Sequence, residues 1–446
     1  MMVNQEYLSL CEYAVTRAEK SGADECEAMM MCTCSTSVAA ESGELSTISS
    51  VEQEGLRIRI IKDKAIGSVF TYKTDRASLR ELIEKAVKAV HSSWKDEFWS
   101  SLPFPGNYTR VKVWDKTIQD LTPRELIEPV VTMIEHISPP AVVHRIAHEV
   151  NTRSRACVNS NGICHSDCGT QENFMLRAVR KECTHTVTPT CYLASYRRKY
   201  EPPYHLIEEL ETLLSLFTQR KKAVSEQTTV ILSPLVVLKL FHYTLLGALS
   251  GESVSRGTSY CAQKEGECIA SSLLSLHDNG IVETGTASQE MDAEGVPSQD
   301  TPLIQDGVLQ GFIWDTYWAN RMHQQSTGNA FYNYRTGRMG IRHTNLVIEG
   351  GTHSWEELLD GVNGYYIFDI GGAHSANANT GTFTVSASPA FQIRDGHITG
   401  GITRMMLSDT IFSLINKITA IGKELQVRQD ALFPPIRCEN VQVIAP

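Results

Sequence analysis

Seven residues of the kinds that bind borderline metals crowd one stretch of the chain: Cys157, Cys164, His165, Cys168, Cys183, His185 and Cys191. Zinc sites use thiolates and imidazoles at short spacings. Here no second CxxC or HxxxH pair completes a framework. The residues alternate with Arg, Thr and Ser, as they do in half-buried strands. Free cysteine is among the most buried residue types, so packing is the expected role. A self-sufficient hydrolase with zinc on this Cys/His group stands as the alternative.

A second candidate is His242, in LKLFHYTLLGALSG at 238–251. A zinc peptidase helix needs two histidines on one face and a glutamate as base beside the first. Tyr243 follows His242, and Leu246 and Gly247 stand four and five residues on. One imidazole does not complete a zinc shell. His242 is therefore expected to be a polar residue in a core helix, capped by Ser233, opened by Pro234 and ended by Gly251.

The third candidate is the loop DIGGAHSANANTGTF at 369–383. Gly371, Gly372 and Gly381 let backbone approach another chain closely, and His374, Ser375, Asn379 and Thr380 supply polar groups. The same composition also suits a sharp connection between two strands. No GxSxG elbow, GxxxxGK[ST] loop or GxGxxG fingerprint is present.

Several elements must position these residues. Tyr7, Leu8, Cys11, Ala14, Val15 and Ala18 have helical spacing, stopped by Ser21-Gly22. GLRIRII and AIGSVFTY read as strands around a hairpin at Asp63-Lys64. Helices follow at DRASLRELIEKAVKAVHSS, capped by Asp75 or Ser78, and at TPRELIEPVVTMIEH, with Thr122 as cap and Pro123 at the first helical position. Residues 141–200 return to strands, with a turn at Asn161-Gly162. A polar-faced helix at about 204–224 marks the expected boundary between residues 1–203 and 204–446.

The 446 residues carry a net charge of −10, with 42% hydrophobic and 21% charged residues, as in ordinary globular proteins. YRRKY at 196–200 and RKK at 220–222 are short and isolated, which argues against direct nucleic-acid binding. No apolar run reaches the ~18 residues of a spanning helix. No signal-peptide pattern opens the chain. Its 12 cysteines are expected as reduced thiols in the cytoplasm.

Across nearly its whole length the chain resembles the TldD/PmbA family, the modulators of DNA gyrase. The resemblance rests on GVLQGFIWDTYWANRMHQQSTGNA (307–330), on the segment from NLVIEGG to RDGHI (345–398) and on GGITRMMLSDTIFSLINKITAIGKE (400–424). Upstream, EGLRIRIIKDKAIGSVFTYKTD (54–75), VNSNG (158–162) and the segment from GTSY to LHDNG (257–280) are also similar to it. TldD-type chains carry an HExxxH zinc motif and a later Cys ligand. PmbA-type chains, also called TldE, lack them and pair with TldD chains in a cytoplasmic metallopeptidase. The motif would fall on the His242 helix, where Tyr243 stands at the Glu position and Gly247 at the second His position. Cys438, in PPIRCENV, lacks the Gly-rich setting of the Cys ligand. The resemblance therefore points to the PmbA/TldE branch.

The resemblance implies an α+β protein of two domains. The N-terminal domain would mix helix and sheet, and the C-terminal domain would be a twisted, antiparallel, barrel-like sheet. It further implies a non-catalytic subunit without a cofactor of its own, or a homodimer when alone. Zinc would sit in a TldD-type partner, and unfolded peptide would enter a cleft as an extended segment. Gly371, Gly372, His374, Asn379, Thr380 and Gly381 are the expected peptide-binding residues. A stand-alone peptide-binding or regulatory protein is the other reading.

Overall fold

The computed structural model describes residues 2–137, 141–182, 185–196, 205–217, 219–402 and 404–445. Helix α1 (Met2–Lys20) buries Tyr7, Cys11, Ala14, Val15 and Ala18, the stripe its spacing predicts. Two long strands, β1 (Glu25–Glu41) and β2 (Glu44–Lys62), form a hairpin whose Ser42 and Gly43 both adopt positive φ. The expected turn at Asp63-Lys64 leads into β3 (Ala65–Thr71). Asp75, not Ser78, caps α2 (Arg76–His91), its carboxylate accepting from the Ser78 N–H. A short α3 (Lys116–Gln119) precedes α4 (Pro123–His136), where Thr122 and Glu125 form a capping box. Strands β4 (Ala141–Asn159), β5 (Cys164–Glu182) and β6 (His185–Tyr196) complete an antiparallel sheet in the order β3-β2-β1-β4-β5-β6.

Side chains alternate between the two faces of a strand, and here the alternation separates two chemistries. Ala28, Met30, Ile58, Ile60 and Ala156 pack with α1 and α2. Glu27, Arg57, Arg59, Arg155 and Asp167 lie on the opposite face and are buried as well. Burying such charges is costly unless they are paired. They are paired with one another and with residues 290–294, through backbone and the Glu294 side chain. Arg59 Nη1 donates to Glu294 Oε1 at 2.8 Å, and Arg155 Nη2 to the Met291 carbonyl at 2.7 Å. Arg57 donates to the Ala293 carbonyl, and the Glu290 N–H donates to Asp167 Oδ2. Gly295 has a φ of +78°, and a Cβ there would lie 2.9 Å from Cys157 Sγ, so glycine is what permits this close docking.

Beyond α5 (His205–Leu216) and β7 (Arg220–Lys221), β8 (Glu226–Leu232) lies inside a ten-stranded sheet. It pairs parallel with Gly364–Ile367 and antiparallel with Ile436–Ile444. The sheet is mixed, and its strand path ends at Ile370–Gly371 on one side and β7 on the other. It is open and so not closed into a barrel, but antiparallel pairing dominates it, as expected. A six-stranded sheet built around Leu276–Asn279 and Leu346–Ile348 contributes to the same core. The fold is α+β. Among the described residues no helix is long and apolar enough to cross a membrane.

Candidate functional site

Helix α6 (Pro234–Leu240) starts as the sequence predicts. Ser233 Oγ accepts from the Val236 N–H and donates to the Phe368 carbonyl at 2.6 Å. The helix then widens into a π turn, Phe241–Leu245, where the Leu246 N–H reaches the Phe241 carbonyl five residues back. π turns in helices are rare and frequent at functional sites. Phe241, Thr244 and Leu245 are buried, whereas His242 and Tyr243 are exposed. The helix belongs to the core, but His242 does not, contrary to expectation. Gly251 opens another short helix, Gly251–Ser255, instead of ending this one.

The His242 ring lies 5.9 Å from that of His343, which places it beside a polar group. His343 Nε2 is 3.0 Å from Asp430 Oδ2. Partial burial, then the neighbouring His343, hold the His242 imidazole below its ordinary value. His343, Asp430 and Arg342 line a cavity of about 560 Å³ between the charged sheet face and the loops of the C-terminal half. Arg153 and Gln171 contribute from β4 and β5, and Tyr334 from the loop after Ala330–Asn333. No motif announces this cavity, because its walls come from segments far apart in the sequence.

One turn on from His242, the helix meets the glycine-rich loop. A Cβ on Gly247 would lie 3.2 Å from Ala378 Cβ. Asn377 shapes the loop, its Oδ1 accepting from the N–H groups of Asn379 and Thr380 at 2.9 and 3.1 Å. Gly371, Gly372, His374, Asn379 and Thr380 are exposed. Gly381 is buried at φ +71°, where a Cβ would lie 2.7 Å from Ile411 Cγ2 and 2.9 Å from Phe412 Cε2. The strand Thr382–Ala387 follows the loop. On its outer side, strand pairing reaches only Ser386 and Ala387, through Gly371 and Ile370, and Asn377 bridges Thr382. Among the described residues, the backbone of Phe383–Val385 has no strand on that side. The loop, the π turn and the cavity mouth thus follow one another across the surface.

Among the described residues, the Cys/His group does not converge. Cys157 and His165 pair across β4 and β5 on the charged face, where Tyr108 stacks on His165 at 3.6 Å and Glu290 binds its Nε2. Cys164 instead reaches Glu12 on α1, from the opposite face. Cys183 and the side chains of His185 and Cys191 lie outside the described residues. Among those described, the one group of three possible ligand atoms within 4.8 Å of one another is Cys32, Cys34 and Glu52 on β1 and β2, which sequence spacing did not single out. Cys438 is buried with Val237, Leu240 and Phe241 on the core side of the helix, and burial pushes its thiol up to about 12.

Comparison with known proteins agrees with this architecture. The family model described as the PmbA/TldA metallopeptidase C-terminal domain matches residues 225–445, and that for domain 1 matches residues 33–90. An uncharacterized protein of Methanocaldococcus jannaschii is 27% identical over 95% of this chain and 97% of its own. A metalloprotease TldD homolog of Buchnera aphidicola is 27% identical over 50% of this chain and 46% of its own. The crystal structure of TldE from Thermococcus kodakarensis is similar with a TM-score of 0.92 and 29% identity, covering 97% of this chain and 99% of that one. Two family models in sequence order, joined by a likeness of fold that spans the chain, place it in the PmbA/TldD family.

Proposed function

We propose that the chain is the metal-free subunit of a TldD/TldE-type zinc metallopeptidase acting on unfolded peptides. The observation that carries this reading is the state of the helix where the family's zinc motif would fall. It offers one imidazole, His242, with Tyr243 at the position of the base. At the second histidine position, Gly247 has Ala378 packed against it. Cys438 faces the core and not His242. These residues do not fit a zinc ion, so no step of catalysis is assigned to this chain. Zinc belongs to a TldD-type partner, where it would activate the attacking water.

What this chain supplies is a surface for extended peptide. Peptides in β conformation add to open sheet edges through main-chain hydrogen bonds. The outer side of Phe383–Val385 offers such groups, flanked by Gly371, Gly372, His374, Asn379 and Thr380. The separation of Cys157 and His165 from Cys164 disfavours the self-sufficient hydrolase. The test is reconstitution. The chain alone should not cleave unfolded peptides, cleavage should appear on mixing with a TldD-type chain, and a chelator should abolish it. Chelator-insensitive cleavage by this chain alone would overturn the proposal, and failure to associate with any TldD-type chain would favour the stand-alone peptide-binding reading.

A further inference from the structure

We infer that the interdomain cavity holds the carboxylate end of a peptide, with Arg153 as the residue that binds it. This rests on the peptide reading above and names the part of the peptide that the cavity receives.

The argument begins with charge. Arg155 and Arg153 stand two residues apart on β4, on the same face. They share one carboxylate. Arg155 holds Asp167 through Nε and Nη2 at 2.9 and 2.5 Å, whereas Arg153 Nη2 remains 3.8 Å away. Arg153 makes one side-chain hydrogen bond, from Nη1 to Gln289 Oε1 at 3.3 Å, and its Nε and Nη2 are buried without a hydrogen-bond partner. Buried donors left unmade are costly, and a guanidinium offers a fork that matches a carboxylate. Arg153 lines the cavity with its side chain about a quarter exposed, and Gly169 stands across from it on β5.

The rest of the lining adds to the surplus. Arg342 lies over the Phe331 ring, with its guanidinium carbon 4.4 Å from the centroid, and no ion pair of its side chain is found among the described residues. The one acidic residue of the lining, Asp430, is taken by His343. The cavity therefore carries uncompensated positive charge, and its volume falls within the range of ligand cavities. His343 lines it, with the His242 ring of the π turn 5.9 Å away, and the peptide edge lies past Gly247 and Ala378. An extended peptide lying on that edge and passing the π turn would bring its end to the arginines.

The test uses the full chain and one short, unstructured, N-acetylated peptide in three forms. These are the free C-terminal acid, the C-terminal amide, and an amide with an internal aspartate. The acid should bind about tenfold tighter than the plain amide, and the preference should vanish in Arg153→Gln at unchanged melting temperature. The aspartate form should bind like the plain amide. Equal binding of acid and amide overturns the inference but leaves the peptide surface standing. Binding of none of the three overturns the peptide reading itself. An aspartate form that binds like the acid overturns the chain-end assignment. Should Arg153→Gln fail to fold, Arg153→Lys is measured, where loss of the bidentate fork should cut the acid preference several-fold, and a preference that survives intact there overturns Arg153 as the carboxylate-binding fork.

Discussion

At the scale of single residues, Gly381 separates shape from contact. Its φ of +71° and the closeness of Ile411 and Phe412 leave no place for a β-branched side chain. Gly381→Val should cost about 2–4 kcal/mol through strain and overpacking. The fall should be visible as a lower melting temperature, with peptide binding lost only in step with folded protein. His374→Ala, on the exposed part of the loop, should leave the melting temperature unchanged and weaken peptide binding by about 1 kcal/mol. A stable Gly381→Val protein would show that the turn is not needed. The loop was legible in the sequence as a place where backbone must bend or be approached. Which glycine faces solvent and which lies under a helix was not, because Ile411 and Phe412 are distant in the chain.

At the scale of elements, the α6 helix shows both outcomes within a few residues. Ser233 and Pro234 announce its start through local hydrogen bonding and a fixed φ, and the structure keeps both. The π turn left no readable mark. One wide turn shifts the apolar phase by a single position, and the neighbouring Leu and Phe side chains satisfy either period. His242 stands seven residues after Leu235 and three after Lys239, both half-buried, so the regular helical phase already turns it outward. Ser233→Ala would remove the cap and the bond to the Phe368 carbonyl together. It should destabilise the protein by about 1–2 kcal/mol, read from the denaturant midpoint. An unchanged midpoint would mean that neither bond matters to this junction.

At the scale of the whole molecule, two halves meet across buried charge. The alternation in GLRIRII reads in sequence as a strand, but nothing local shows that its arginine face is buried, since the loop that covers it lies more than a hundred residues away. Arg155→Met would leave Asp167 buried beside the less well placed Arg153 and should cost about 3–5 kcal/mol, measured by denaturant unfolding. Acid should act on the same contact. Burial alone would raise the Asp167 carboxyl, but Arg155 and Arg153 override it and hold the group well below the usual carboxylate range. A depressed carboxyl contributes stability that is present above the ordinary carboxylate value and lost as pH falls below it. Unfolding curves in acid should therefore show a loss below about pH 4 that is smaller in Asp167→Asn.

The placement of Ile436–Ile444 bears on how this protein is made. That strand lies in the interior of the ten-stranded sheet, between β8 and Met406–Thr410, although nearly the whole C-terminal half separates it in sequence from β8. During synthesis β8 emerges from the ribosome long before its antiparallel neighbour. Until then one edge of β8 carries unpaired backbone beside Val230, Ile231 and Leu232, all buried in the finished protein. Pairing across such a separation is slow and leaves a nascent chain open to aggregation. The N-terminal sheet, whose β1 and β2 pair across a tight hairpin, can form first. Chaperone demand during translation should therefore fall on the second half of the chain.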